Sequence, residues 1–92
     1  MATLVLPAVL THDHASACAR MLAQAVRTSR EAAIVADASA LDRFDSSALA
    51  VLLEARREAL ALGKTFAVRK LPGRLRSLAG LYGVEPLLPS AP

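Results

Sequence analysis

Asp45, Ser46 and Ser47 stand in a row immediately ahead of the apolar run Ala48-Leu49-Ala50-Val51-Leu52-Leu53. No other residues in the chain combine types and spacing so suggestive of a working site. An acid and two hydroxyls before a helical run mark a helix N-terminus, where side-chain oxygens accept hydrogen bonds from free backbone N–H groups. Those N–H groups and the helix dipole also favour a phosphate. Two roles are therefore open to the segment. One is capping, which suffices on local grounds. The other is a regulated contact, in which a phosphate on Ser47 would add nearly two negative charges beside Asp45 and disrupt an interface without unfolding the domain.

Other chemistries fail on spacing. A serine hydrolase needs a Gly-x-Ser-x-Gly turn with a His base and an orienting acid, but this segment has no glycine and the two histidines lie near the N-terminus. His12, Asp13 and His14 are too few and wrongly spaced for a metal shell, since ligands two apart do not share a helix face. They fit a polar helix start with Thr11 or Asp13 as cap. Gly63-Lys64-Thr65 resembles part of a phosphate-binding loop, yet Glu58 occupies the place of its first glycine and the order is helix then strand, not strand then helix. No catalytic residue, metal ligand or cofactor site is expected.

Charge is uneven. Residues 56–76 hold Arg56, Arg57, Lys64, Arg69, Lys70, Arg74 and Arg76 against the single acid Glu58, while the remainder is net acidic. A basic stretch of this kind suits phosphates, anionic headgroups or an acidic protein surface, and its plain reading is a solvated face. Phe44, Phe66 and Tyr82 are the only aromatics, too few for a base-stacking surface, and no helix-turn-helix spacing is present. Nucleic acid is not an expected partner. Cys18, alone and set among alanines, reads as a small buried thiol in a reducing compartment. No basic residue precedes the apolar N-terminal stretch, Pro7 interrupts it, and no run approaches the roughly 18 apolar residues of a membrane span. The expected location is cytoplasmic, with any membrane link made through a partner.

The elements that must position Asp45-Ser46-Ser47 follow from periodicity. Residues 3–10 predict an edge strand or two short extended pieces around Pro7. Residues 11–29 predict a helix with Ala15, Cys18, Met21, Leu22, Ala25 and Val26 inward. Residues 32–38 predict an interior strand covered on both faces, and 38–44 a loop. A second helix runs to Leu62 and stops at Gly63, packing Leu49, Leu52, Leu53, Ala59 and Leu60 on the sheet. Its outer stripe, Ser47, Ala50, Glu54 and Arg57, forms a small apolar patch rimmed by charge. Residues 65–69 alternate as a strand, and Pro72 opens a third helix with Leu75, Leu78, Ala79 and Tyr82 inward, ending at Gly83. The order βαβαβα predicts an α/β fold, a small mostly parallel sheet covered by helices. A single domain spans residues 1–92, with residues 88–92 as a frayed tail.

These residues resemble a known family. Asp42-x-x-Asp45-Ser46-Ser47-Ala48-Leu49, then Gly63-Lys64, a short strand, Leu71-Pro72 and Leu78-Ala79-x-Leu81-Tyr82-Gly83-Val84 are similar to the STAS domain, over about residues 32–88. In the anti-sigma factor antagonists of that family a partner kinase, itself the anti-sigma factor, phosphorylates a hydroxyl of this motif. The resemblance implies Ser47 by position, with Ala48 standing where glycine is usual. The short, Ala/Leu-rich chain and its Leu-Tyr-Gly-Val-Glu-Pro-Leu-Leu ending look most similar to the MlaB-like branch. These are stand-alone STAS subunits of Mla phospholipid ABC transporters, which maintain outer-membrane lipid asymmetry. That resemblance implies a non-enzymatic subunit that binds the MlaF-like ATPase, and through it a permease and an MCE protein. Asp45, Ser46, Ser47, Ala50, Glu54 and Arg57 would lie at or beside the contact.

Overall fold

The computed structural model describes residues 1–92 as β1 (Ala2–Val5), β2 (Val9–Leu10), α1 (His12–Thr28), β3 (Ala33–Asp37), β4 (Arg43–Phe44), α2 (Ser47–Ala61), β5 (Thr65–Arg69) and α3 (Gly73–Leu81), with a 3₁₀ turn at Glu85–Leu87. α1 and α2 each lie between main-sheet strands that run in the same direction, which requires a long crossover. The main sheet has the order β1-β3-β5, all parallel. Its register aligns Ala2–Ile34–Phe66 and Leu4–Ala36–Val68 as rows on one face. Side chains alternate along a strand, so Thr3–Val35–Ala67 and Val5–Asp37–Arg69 form the rows of the other face.

The first pair of rows meets all three helices in one core, through Cys18, Leu22 and Val26 of α1, Leu49, Leu52, Ala55 and Ala59 of α2, and Leu75 and Ala79 of α3. The helices therefore cover a single face. The apolar run of β3 predicts cover on both sides, and the difference lies at Val35. It is buried but stands outside that core, shut in by its central place between Thr3 and Ala67 and not by a second helical layer.

Pro7 divides the N-terminal stretch as its missing N–H requires. Beyond it β2 leaves the main sheet and pairs in parallel with β4, which occupies part of the expected 38–44 loop. The Ala8 carbonyl accepts from both Asp42 N–H (2.8 Å) and Arg43 N–H (3.0 Å), fixing that crossing just ahead of Asp45. Gly63 and Gly83 end α2 and α3 in the left-handed region, each at φ 74°. The next amides, Lys64 and Val84, close back on the Ala59 and Ala79 carbonyls at 2.9 Å each. Lys70 adopts φ 54° without being glycine, at a cost of about 1–2 kcal/mol, and this turn sends Leu71 into the core ahead of α3.

Three residues expected inside are outside: Met21 is 71% exposed, Leu60 45% and Tyr82 58%. The buried line of α1 is Cys18-Leu22-Val26, and Met21 sits about 100° around the helix from Leu22. α2 turns Ala48, Val51 and Ala55 inward, which rotates Leu60 out of the contact arc. Tyr82 follows the last turn of α3. The tail expected to fray is docked. Leu88 is buried, Val68 N–H donates to the Pro89 carbonyl and Ala91 N–H to the Val68 carbonyl, both at 2.8 Å. Residues 89–91 thus line the far edge of β5, an edge position where proline is tolerated.

Candidate functional site

Asp45 follows β4 directly, and its carboxylate serves two helices. Oδ1 accepts from Ser47 N–H at 2.8 Å in the first turn of α2, and Oδ2 accepts from His12 N–H at 3.0 Å at the start of α1. Helix N-termini leave such amides without an intrahelical partner, so one acid completes both ends. The Ser47 amide and then the His12 amide hold the Asp45 carboxyl below the usual carboxylate range, with the Ser47 hydroxyl and the His12 ring adding to the effect.

The capping expected of the hydroxyls does not occur. Neither Thr11 before α1 nor Ser46 before α2 makes a side-chain cap bond. Ser46 already has helical dihedrals, φ −62° and ψ −16°, so Asp45 is the residue with cap geometry and the Ser46 hydroxyl lies past the amides it would need. Thr11 Oγ1 instead meets His14 Nδ1 at 3.2 Å. Asp13 makes no cap bond either, because it already lies within the first turn of α1. Asp45 and Ser46 are exposed and Ser47 half-buried, which leaves the start of α2 accessible.

The outward side of α2 carries the expected stripe. Ala50, Glu54 and Arg57 are exposed, and Glu54 pairs with Arg57 one turn on. A shallow depression of about 440 Å³ joins them, lined also by Leu53, Arg56 and Leu87. Leu53, assigned inward from its spacing, is half-buried and lines this depression. Leu87 was missed. The available signal was the Leu87-Leu88 pair, of which Leu88 enters the core and Leu87 faces α2.

The basic residues of 56–76 mostly have structural partners. Lys64 Nζ donates to the Ser29 and Glu31 carbonyls at 2.9 and 2.7 Å, completing the C-terminus of α1. Arg69 faces Asp37 at 3.9 Å and reaches the Pro92 carbonyl, while Arg76 donates to Ser90 Oγ. Arg74 lies over the Phe44 ring, 4.8 Å from its centroid. The amide of Ser39, and then its hydroxyl, hold Asp37 below the carboxylate range, with Arg69 and Lys70 adding to the effect. His12, Asp13 and His14 form no group of three or more ligands that could hold a metal. Cys18 is buried, and burial pushes its thiol up. No helix is long and apolar enough to cross a membrane.

Against known proteins, a family model described as "Mlab, STAS domain" matches residues 1–89. The solved structure of the anti-sigma factor antagonist SpoIIAA in its unphosphorylated form aligns with a TM-score of 0.74 and 18% identity, over 99% of this chain and 81% of that one. At that identity the likeness speaks for the fold. No curated protein matches the sequence significantly.

Proposed function

The chain belongs to the STAS domain family, in the group described as Mlab, and from that membership we propose that it is a non-enzymatic subunit of an Mla-type phospholipid ABC transporter. In this reading it binds the cytoplasmic MlaF-like ATPase and supports its assembly. It reaches the permease and MCE protein only through that subunit, and so serves outer-membrane lipid asymmetry from the cytoplasmic side of the inner membrane. The observation that carries the docking surface is the double cap by Asp45. Because the carboxylate completes both helix ends, Ser46, Ser47 and the small Ala50 are presented at the surface without being needed as caps. Ala50, Glu54 and Arg57 extend the same stripe, and a neutral Glu54–Arg57 pair at its rim suits a persistent contact.

A second reading rests on the fold shared with SpoIIAA: an anti-sigma factor antagonist switched by phosphorylation of Ser47. A phosphate there would compete with the Asp45 carboxylate for the Ser47 amide. Affinity capture of the tagged protein from its own membranes separates the two. Co-purification of an ABC ATPase with its permease is the expected result. Recovery of a soluble serine kinase and no transporter would overturn the first reading in favour of the second.

A further inference from the structure

β1 is a border strand of the main sheet, paired with β3 and with no strand beyond. Just past its end, Leu6 N–H donates to the Asp37 carbonyl at 3.0 Å. Backbone groups of a strand alternate sides, so Ala2, Leu4 and Leu6 turn theirs to β3 while Thr3 and Val5 turn theirs outward. Two N–H donors and two carbonyl acceptors therefore line a border with no strand to bond. Native borders are blunted by charge, proline or a bulge. Ala2-Thr3-Leu4-Val5-Leu6 holds no charged residue, and Pro7 comes only at the next outward position.

Apolar side chains gather at the same border. Val5 is 67% exposed, and Met1 before β1 and Met21 on α1 are exposed as well. A depression of about 380 Å³ lies beside the C-terminal end of β1, lined mostly by apolar residues that include Val5, Pro7, Val9, Ala17 and Met21. The charge at the other end of the strand, the Met1 ammonium, is already paired with Glu31 at 2.7 Å.

We propose that this border is an interface between two copies of the chain, with the two β1 strands antiparallel about a two-fold axis through Leu4. In that register Thr3 of one copy stands opposite Val5 of the other and exchanges both backbone bonds with it. The two-fold repeats the exchange, so all four outward groups of each copy are satisfied and two three-stranded sheets become one of six. Any antiparallel strand supplies groups at this spacing; the side chains are what select a second copy. The same register brings Met1 of one copy to Pro7 of the other, so the exposed methionine at one end meets the apolar depression at the other end, twice. A projection and a hollow placed to meet under a two-fold make the patch complementary to itself. Thr3 opposite Val5 is also a β-branched pair, which packs well across strands. A standard interface buries about 800 Å² per partner, and four residues of strand with their flanking side chains cover less, so the dimer is a weak one that forms with concentration.

The test is sedimentation equilibrium of the untagged chain from about 10 µM to about 1 mM, the range of a small interface. The wild type is expected to pass from monomer to dimer within it. Val5→Pro removes an outward donor and no bond to β3, and Val5→Lys sets a charge on the border. Each should move the transition at least tenfold higher in concentration, with thermal melts of the dilute proteins confirming that they fold. Thr3→Cys and Val5→Cys proteins, mixed and oxidised, should give more disulfide-linked dimer than either alone, because opposite positions about 5.5 Å apart lie within disulfide reach. Cys18 is buried and does not compete. A wild type that stays monomeric throughout overturns the proposal and leaves the border to a strand of another protein. A dimer that both Val5 variants leave unchanged overturns it too, as does cross-linking of either cysteine variant with itself in place of the mixed pair.

Discussion

Ala50→Arg separates docking from folding more sharply than any other single change on α2. Ala50 is exposed one turn before Glu54, so the new side chain meets solvent and a carboxylate at i+4. Arginine ranks just below alanine as a helix former, within a span of about 0.7 kcal/mol for ordinary residues. The new i,i+4 pair has the cation N-terminal to an acid already held by Arg57, so it returns at most about 0.2–0.5 kcal/mol. The two nearly cancel, leaving stability within about 0.5 kcal/mol, or about 2–4 °C in Tm for a domain of this size. If Ala50 is packed against the ATPase, a long cation in place of a methyl group disrupts the packed centre of a contact. A loss of about 2 kcal/mol is then a modest expectation, roughly 30-fold in Kd. Titration of the purified ATPase against wild type and variant, with melts run in parallel, reads both quantities. Binding within threefold of wild type at an unchanged Tm would refute the assignment of this face.

Asp45→Ala should lower Tm by about 8–16 °C, because caps at two helices, about 1 kcal/mol each, are lost. Asp45→Asn should fall between that and wild type, since an amide offers one acceptor oxygen for two N–H groups. Ser46→Ala should leave Tm nearly unchanged, and a drop as large as that of Asp45→Ala would show the hydroxyl to be the cap after all. Leu88→Ala should cost about 2–5 kcal/mol in urea denaturation, the range for truncating a buried leucine; a change under about 0.5 kcal/mol would restore the frayed tail. Asp37 and Asp45 titrate below the ordinary carboxylate range, so the native state binds fewer protons than the unfolded chain in acid. Their stabilisation is therefore complete above about pH 4–5 and is lost as the pH falls through their native values. Urea midpoints from pH 6 to 2.5 should show a shallower acid slope for Asp45→Asn than for wild type.

Much of this architecture could be read from periodicity and punctuation. Gly63 ends α2, Pro72 precedes α3, and Thr65–Arg69 alternates as a strand. These signals act over a few residues. What escaped was non-local or too short to have a period. The bond from His12 to Asp45 spans 33 positions, and nothing near either residue announces it. β2 and β4 have two residues each, and no alternation can be read from two. The exposure of Met21 and Leu60 depends on which neighbours each helix meets, and the i, i+3, i+4 rule leaves a turn's worth of choice. At the site, the stripe Ala50-Glu54-Arg57 was legible because it lies on one helix. Leu87 and the Phe44–Arg74 contact were not, because they join segments brought together only by the fold.

The docked tail has a consequence for self-association. Beyond β5 the chain presents Pro89, Ser90, Ala91 and Pro92, and the Ala91 amide is already bound inward. Two prolines flank the one remaining donor, that of Ser90, so a further strand finds almost nothing to pair with. The opposite border, β1, is bonded to β3 alone. A sheet with one receptive border and one sealed border can join a second copy border to border, but it cannot grow a ladder, because growth needs two receptive sides on every unit. Residues 89–91 would thereby limit edge pairing to dimers.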